Sequence, residues 1–215
     1  MAQIKSGATA DLLTVEAATK AARITARPID YGSLGAYSKS LESGTMAAGL
    51  GASALVFSFR YSAANVCLVR SVRVGAGGIL AFAAGFAKMD LVIARAFTAS
   101  DTGGTAGTLS GNNGKRRTNM ATTGVADIRI SSTAALSAGT RTLDTDPIAN
   151  LVSCTGATAG TVIIPAGSEL VPDDRDCRYP IALAQNEGFI IRATVPATGT
   201  WTFGVTVDWE EVAAY

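Results

Sequence analysis

The chain of 215 residues contains no histidine. That removes the commonest general base near neutral pH and the commonest metal ligand. A Ser-His-Asp or Cys-His nucleophilic arrangement cannot be assembled from it. Charge is also scarce. Charged residues make up 16% of the chain, below the roughly 25% of an average soluble domain. Such a lightly charged surface suits a subunit whose faces are covered by neighbours, although a Thr-, Ser-, Ala- and Gly-rich monomer surface gives the same figure. Neither sign dominates, with 18 Lys and Arg against 17 Asp and Glu. A dedicated binder of nucleic acid or of membrane surfaces would carry a basic excess.

Cysteine is sparse as well. Cys67, Cys154 and Cys177 are odd in number and widely spaced, so no disulfide framework or zinc site is readable, and buried free thiols in a reducing cytoplasm are expected. No stretch approaches the roughly 20 apolar residues that span a bilayer. The most apolar region, 79–97, is broken by Gly85, Lys88, Asp90 and Arg95. The opening residues lack the apolar core of a cleaved signal peptide, which favours synthesis in the cytoplasm.

What is present is β-pattern. From Gly199 to Val212, Trp201, Phe203, Val205, Val207 and Trp209 fall on one face, and Thr202, Gly204, Thr206, Asp208 and Glu210 on the other. Strand side chains alternate with a period of two, so this is a strand with one buried face. Similar alternation marks Leu55–Tyr61, Val66–Val74 and Ile128–Ile130, and shorter apolar runs at 79–86, 89–97, 162–164, 169–171, 181–183 and 189–195 are bounded by Gly, Pro or Asn. Asp146-Pro147 reads as the N-cap and first position of a short helix through Leu151. Short strands with turns between them predict an all-β fold, an antiparallel β-sandwich of jelly-roll type. Residues 1–50 read as an extended N-terminal arm and irregular linker, and 51–215 as the sandwich body. A helix from Leu12 to Ala26 would suit the alanine content, but Thr14, Val15, Thr19, Ile24 and Thr25 favour extended chain.

Candidate sites are few. Gly49-Leu50-Gly51-Ala52-Ser53-Ala54 loosely matches a dinucleotide fingerprint, but it precedes a strand where the motif needs a helix. Asp144 and Asp146, and Asp173, Asp174 and Asp176, form carboxylate clusters that could hold a hard cation. They lack the Gly and Glu of a calcium loop, and Arg175 sits among them, so solvated turns are the simpler reading and no cofactor is expected. Paired carboxylates could also hydrolyse glycosides, but sequence cannot place Asp174 near Glu187 or Asp208. Trp201 and Trp209 could stack on sugars, but their shared face with Phe203 says core. Asn113-Gly114, within the polar stretch 99–124, is a type I′ hairpin signal. Lys115, Arg116 and Arg117 follow it as the one basic run, expected at a loop tip. There the simpler reading is a solvated tip or a salt-bridging loop, and the alternative a contact with phosphates or a partner. Arg70 and Arg73 interrupt an apolar strand and could donate ion pairs across a subunit interface or snorkel at a sheet edge. In the arm, Ile4, Leu12, Val15 and Ile24 are dispersed among Thr and Ala, as in a strand that pairs with another sheet edge.

Several segments carry a resemblance. Ala2-Gln3-Ile4-Lys5-Ser6-Gly7-Ala8-Thr9 with Lys20-Ala21-Ala22-Arg23 resembles the start of a group of tailed-bacteriophage virion proteins. So do Phe59-Arg60, Leu68-Val69-Arg70-Ser71-Val72-Arg73, Asn186-Glu187-Gly188-Phe189-Ile190-Ile191-Arg192, Gly199-Thr200-Trp201, Val207-Asp208-Trp209 and Tyr215. The likeness runs over nearly the whole chain. Within that class, size and β-pattern are similar to capsid cement or decoration proteins. The resemblance implies a non-enzymatic β-sandwich with extended arms that binds the major capsid protein and itself as a homo-oligomer, located in the virion after assembly in the bacterial cytoplasm. Tail and baseplate components share these traits. A receptor- or glycan-binding tail module would look to Tyr31, Tyr37 and Tyr179.

Overall fold

The computed structural model describes residues 34–47, 49–50, 53–155, 160, 162–171 and 180–213. They form thirteen strands: β1 (Gly35–Glu42), β2 (Met46–Ala47), β3 (Ala54–Tyr61), β4 (Val66–Leu80), β5 (Gly85–Ala99), β6 (Thr105–Ala106), β7 (Val125–Ile130), β8 (Thr140–Leu143), β9 (Ala149–Thr155), β10 (Val162–Val171), β11 (Ile181–Leu183), β12 (Glu187–Thr194) and β13 (Thr200–Val212). Among the described residues there is no helix. A six-stranded sheet runs β1-β13-β4-β10, with β2 on β13 and β11 on β4. A seven-stranded sheet runs β6-β7-β3-β12-β5-β8, with β9 on β5. All pairings are antiparallel. The expected all-β sandwich is therefore present.

One core joins the two sheets. Trp201, Phe203, Val205, Val207 and Trp209 of β13 are buried on a single face, as their alternation requires. Trp209 stacks on Tyr37 of β1 at 5.4 Å and meets Phe59 of β3 edge-on at 5.3 Å, and Phe59 stacks on Phe189 of β12 at 5.0 Å. Offset and edge-to-face geometries of this kind add to the area each ring buries. The aromatic chain Tyr37–Trp209–Phe59–Phe189 thus crosses from one sheet to the other.

The outer face of the seven-stranded sheet is partly roofed. Val92, Ala94, Phe97 and Ile190 are buried although they stand outside the inter-sheet core. Residues 131–148 cross over them, held where Leu136 N donates to Leu55 O at 2.9 Å, Asp144 N to Ile93 O at 3.0 Å and Ile148 N to Leu91 O at 2.9 Å.

The structure departs from the sequence reading at several points. The stretch 35–47, expected within an irregular linker, supplies β1 and β2 of the main sheet. The Asp146-Pro147 signal opens no helix: Ile148 is hydrogen-bonded to β5, and β9 pairs with β5 from Ala149 on. β4 does not stop at its glycines but runs through Gly75, Gly77 and Gly78 to Leu80. A Cβ at Gly75 would stand 2.9 Å from Ala166 Cα, so the glycine there serves close strand approach and not a turn. The runs at 162–164 and 169–171 are one strand, β10, with register shifts between them. At Asn113-Gly114 only Gly114 has positive φ, whereas a type I′ turn needs it at both residues. The chain makes successive turns instead, with Asn113 N on Ser110 O and Lys115 N on Asn112 O.

Candidate interaction surfaces

The outward side chains of β13 and β4 build an ion-pair ladder across the six-stranded sheet. The two strands are antiparallel neighbours, so residues far apart in sequence meet in register, Thr206 opposite Arg73 and Asp208 opposite Ser71. Asp208 accepts from Ser71 Oγ at 2.8 Å, Arg73 Nη2 at 2.6 Å and Arg116 Nη2 at 2.5 Å. Burial alone pushes its carboxyl up, but hydrogen bonds from Ser38, Ser71 and Arg116 outweigh that and hold it below the usual carboxylate range. Two rungs along, Arg70 Nε and Nη2 both reach Glu210 Oε2, at 3.1 and 3.0 Å. Arg70 and Arg73, candidate donors to a neighbouring subunit, thus pair within the chain.

Of the two simpler readings of the basic run, the salt-bridging loop is the one found, not the free tip. Residues 114–116 lie along the outer edge of β1, with Ser38 N donating to Gly114 O at 2.7 Å, Arg116 N to Ala36 O at 3.0 Å, and Lys115 bridging Tyr37. Arg116 is consumed by Asp208, and Arg117 is exposed. Neutralising Arg117 is therefore expected to leave stability within about 0.5 kcal/mol. Arg116→Ala should cost about 1 kcal/mol, because a charge-assisted bond is lost from a half-exposed pair while Ser71 and Arg73 still hold Asp208. Asp208 has a depressed pKa, so its contribution exists above the ordinary Asp value and fades as pH falls. The Arg116→Ala penalty should accordingly shrink in acid. Urea midpoints of both variants at neutral and acid pH check this.

At the end of the core near Tyr61, an unexpected carboxylate is buried. Glu211 Oε1 accepts from Thr123 Oγ1 at 2.5 Å and Gly124 N at 2.8 Å, and Trp209 Nε1 donates to Thr123 Oγ1 at 3.2 Å. Burial pushes Glu211 above the usual carboxylate range, against the pull of those bonds. Burial and Glu211 push Tyr37 up to about 12, and raise Tyr61 and the fully buried Cys67 thiol as well. A carboxyl whose folded pKa is raised favours folding fully below its unfolded pKa, and that contribution disappears as pH rises through the folded value. Glu211→Gln keeps Oε1 for both donors and removes the charge. It is expected to be at least as stable as the native chain at neutral pH and to lose less stability as pH rises from the ordinary glutamate range. Melting temperatures over that window decide it.

Elsewhere the candidate chemistry disperses. Asp144 pairs with Arg95, which also holds Glu187 at 2.7 Å. Among the described residues no group of three or more His, Cys, Asp or Glu side chains is placed to hold a metal ion. Trp201 and Trp209 are core, and Tyr37 is buried against Trp209, so none offers a sugar platform. Cys67 is buried as expected, but Cys154 is exposed. Gly49 and Leu50 precede a strand, as the sequence indicated. Ile4, Leu12, Val15, Ile24, Tyr31, Asp173, Asp174, Asp176, Cys177 and Tyr179 lie outside the described residues.

Beside the ion-pair ladder is an open groove of about 530 Å³. Gly75, Gly77 and Gly204 floor it, Thr202 and Thr206 add hydroxyls, and Val162, Ile164 and Ala166 of β10 wall one side. A Cβ at Gly77 would meet nothing within 4 Å, so the main chain itself is open to an incoming group. Sequence reading did not find this surface: the glycines of β4 looked like punctuation, and β10 looked like two strands. No protein-family model, curated protein or solved structure matches the chain.

Proposed function

We propose that the chain is a non-enzymatic structural protein of a bacteriophage virion, a capsid cement or decoration protein that oligomerises and stabilises the assembled shell. The observation that carries the reading is the groove. Its floor is glycine main chain and threonine hydroxyls, one wall is aliphatic, and Glu42 and Arg73 also line it. Such a surface fits an extended polypeptide, which gains shallow apolar contacts and hydrogen bonds with the threonine hydroxyls, the main chain of β4 and β13 being already paired within the sheet. The residue-level resemblance to tailed-phage virion proteins supplies the kind of partner, the major capsid protein. Arg73, which stands in the groove, is already paired with Asp208, so adhesion there rests on shape and the threonine hydroxyls more than on that charge. Arg117 and the arm residues Ile4, Leu12, Val15 and Ile24 are further candidate contacts.

The mechanism is mass action. A protein that binds the assembled shell and not its dissociated parts stabilises the shell, by about 2.7 kcal/mol at a free concentration of 100 times Kd. The test uses purified shells lacking the chain. Added chain is expected to co-sediment with them and raise their melting temperature. Gly77→Gln, which fills the groove at a position with open space above it, should abolish both effects with the chain's own melting unchanged. A native chain that leaves shells unaltered and binds a glycan array would move the reading to a receptor-binding tail or baseplate component.

A further inference from the structure

Glycine inside a central strand weakens it and calls for a reason. The groove holds three such glycines on neighbouring rungs of the six-stranded sheet. Gly204 of β13 lies opposite Glu42 of β1 and Gly75 of β4, and Gly77 of β4 lies opposite Thr202 of β13 and Val162 of β10. Gly75 is accounted for by Ala166, which fills the space above it. Gly77 and Gly204 are not accounted for within the chain. Neither has positive φ, and the pairing of β13 with β4 is unshifted at both. A Cβ at Gly77 would meet nothing within 4 Å, and one at Gly204 would meet Leu41 O at 3.7 Å and Glu42 Cγ at 3.8 Å, which are ordinary contacts. The remaining reason for glycine in a strand is close approach of a group from outside.

Shape and polarity narrow what approaches. Gly204 and Gly77 are diagonal neighbours, so the missing side chains leave one flat floor two strands wide. Val162, 63% exposed, walls it on the β10 side. An aromatic ring laid across glycine is a known way of stabilising a sheet face. A sugar would want an aromatic platform, and none is open here: Phe203, the one aromatic residue lining the groove, is buried. Thr202 and Thr206 already pair with Ser43 Oγ at 3.2 Å and Ser40 Oγ at 2.8 Å, and keep acceptor capacity for an indole N–H or a phenol O–H.

Charge adds a second requirement. Arg73, one rung beyond Gly204, has Asp208 at 2.6 Å and faces Glu169 in register. Glu42, directly beside Gly204, is exposed and has no cation within ion-pair distance among the described residues. The charge left open at the edge of the floor is therefore negative.

We infer that the groove takes an aromatic side chain of an extended partner segment, laid flat over Gly77 and Gly204, with a Lys or Arg two residues away beside Glu42. Alternate residues of an extended segment share a face, so both side chains come down together. The inference rests on the groove being the docking surface proposed above, and it adds the side chains read there.

The test titrates the purified full chain, followed by NMR, with the capped pentapeptide Lys-Ala-Trp-Ala-Lys. Lys-Ala-Leu-Ala-Lys and Glu-Ala-Trp-Ala-Glu are the comparisons. Amide shifts are expected at Gly77, Thr202 and Gly204, with the Trp peptide at least about threefold tighter than the Leu peptide. The Glu-flanked peptide should bind more weakly, by a margin that narrows with salt. Gly77→Ala and Gly204→Ala should melt no lower than the native chain, since alanine suits a strand interior better than glycine. Each should nevertheless weaken the Trp peptide at least about fivefold, because the added methyl lifts the ring off the floor. If Gly204→Ala impairs folding, Glu42→Lys takes its place and should reverse the order of the Lys- and Glu-flanked peptides. No shifts in the groove, equal affinity for the Trp and Leu peptides, or alanine variants that bind unchanged overturn the inference. Shells separate it from the docking reading. If Gly77→Gln loses shells and Gly77→Ala keeps them, the docking surface stands and the ring is overturned. A chain that ignores shells but takes the Trp peptide in the groove supports the inference and sinks only the capsid partner.

Discussion

Trp209→Ala is expected to give insoluble or unfolded protein. Trp209 is 1% exposed and sits where three elements meet: it stacks on Tyr37 of β1, takes Phe59 of β3 edge-on, and its indole N–H donates to Thr123 ahead of β7. Truncating a buried aromatic typically costs about 3–5 kcal/mol, against about 5–15 kcal/mol for the whole stability of a domain. Here the loss would also loosen Thr123, the donor to Glu211, and so release a buried carboxylate from one of its two bonds. Soluble expression and a urea midpoint decide the matter, and an unchanged midpoint would contradict the core assignment.

The second large effect is expected at Asp101. Its carboxylate is buried and pairs with Arg141, whose side chain is also nearly buried, and it accepts from Gly139 N at 2.6 Å. The Arg141 guanidinium lies 5.1 Å from the centroid of the Phe97 ring. This clasp fastens the roof over the outer face of β5. Burial already lowers the pKa of Arg141, and removing its partner would strand a desolvated charge. Breaking a buried pair from one side costs about 3–5 kcal/mol, whereas replacing both members with apolar groups is often neutral. Asp101→Asn should therefore be strongly destabilising, and adding Arg141→Met should recover much of the loss. A double-mutant cycle on melting free energies measures the coupling. Equal losses in the single and double variants would show that Arg141 is not the buried charge at risk.

Legibility in the sequence followed local pattern. The stripe Trp201–Trp209 alternates without interruption, so period alone placed it in the core. β1 went unseen because Lys39 interrupts the alternation of Tyr37 and Leu41, yet Lys39 reaches out to Thr108 O at 3.1 Å and leaves the strand intact. β9 was masked by Asp146-Pro147, whose capping propensity lost to pairing with β5. The surfaces were less legible than the fold because they depend on register. Arg73 and Asp208 are 135 residues apart, and nothing local tells either that it faces the other. Glu211 ends a run of alternating residues and looks solvated, but the loop carrying Thr123 and Gly124 closes over it. The groove needs three strands to be aligned before its glycines read as a floor.

The most direct test of the central claim, that this chain clamps an assembled phage shell, is to see where it sits. A low-resolution image of the native particle, with the chain labelled, should place it in repeated copies on the outer surface of the capsid. Label confined to the tail or baseplate, or absent from the particle, would contradict the account.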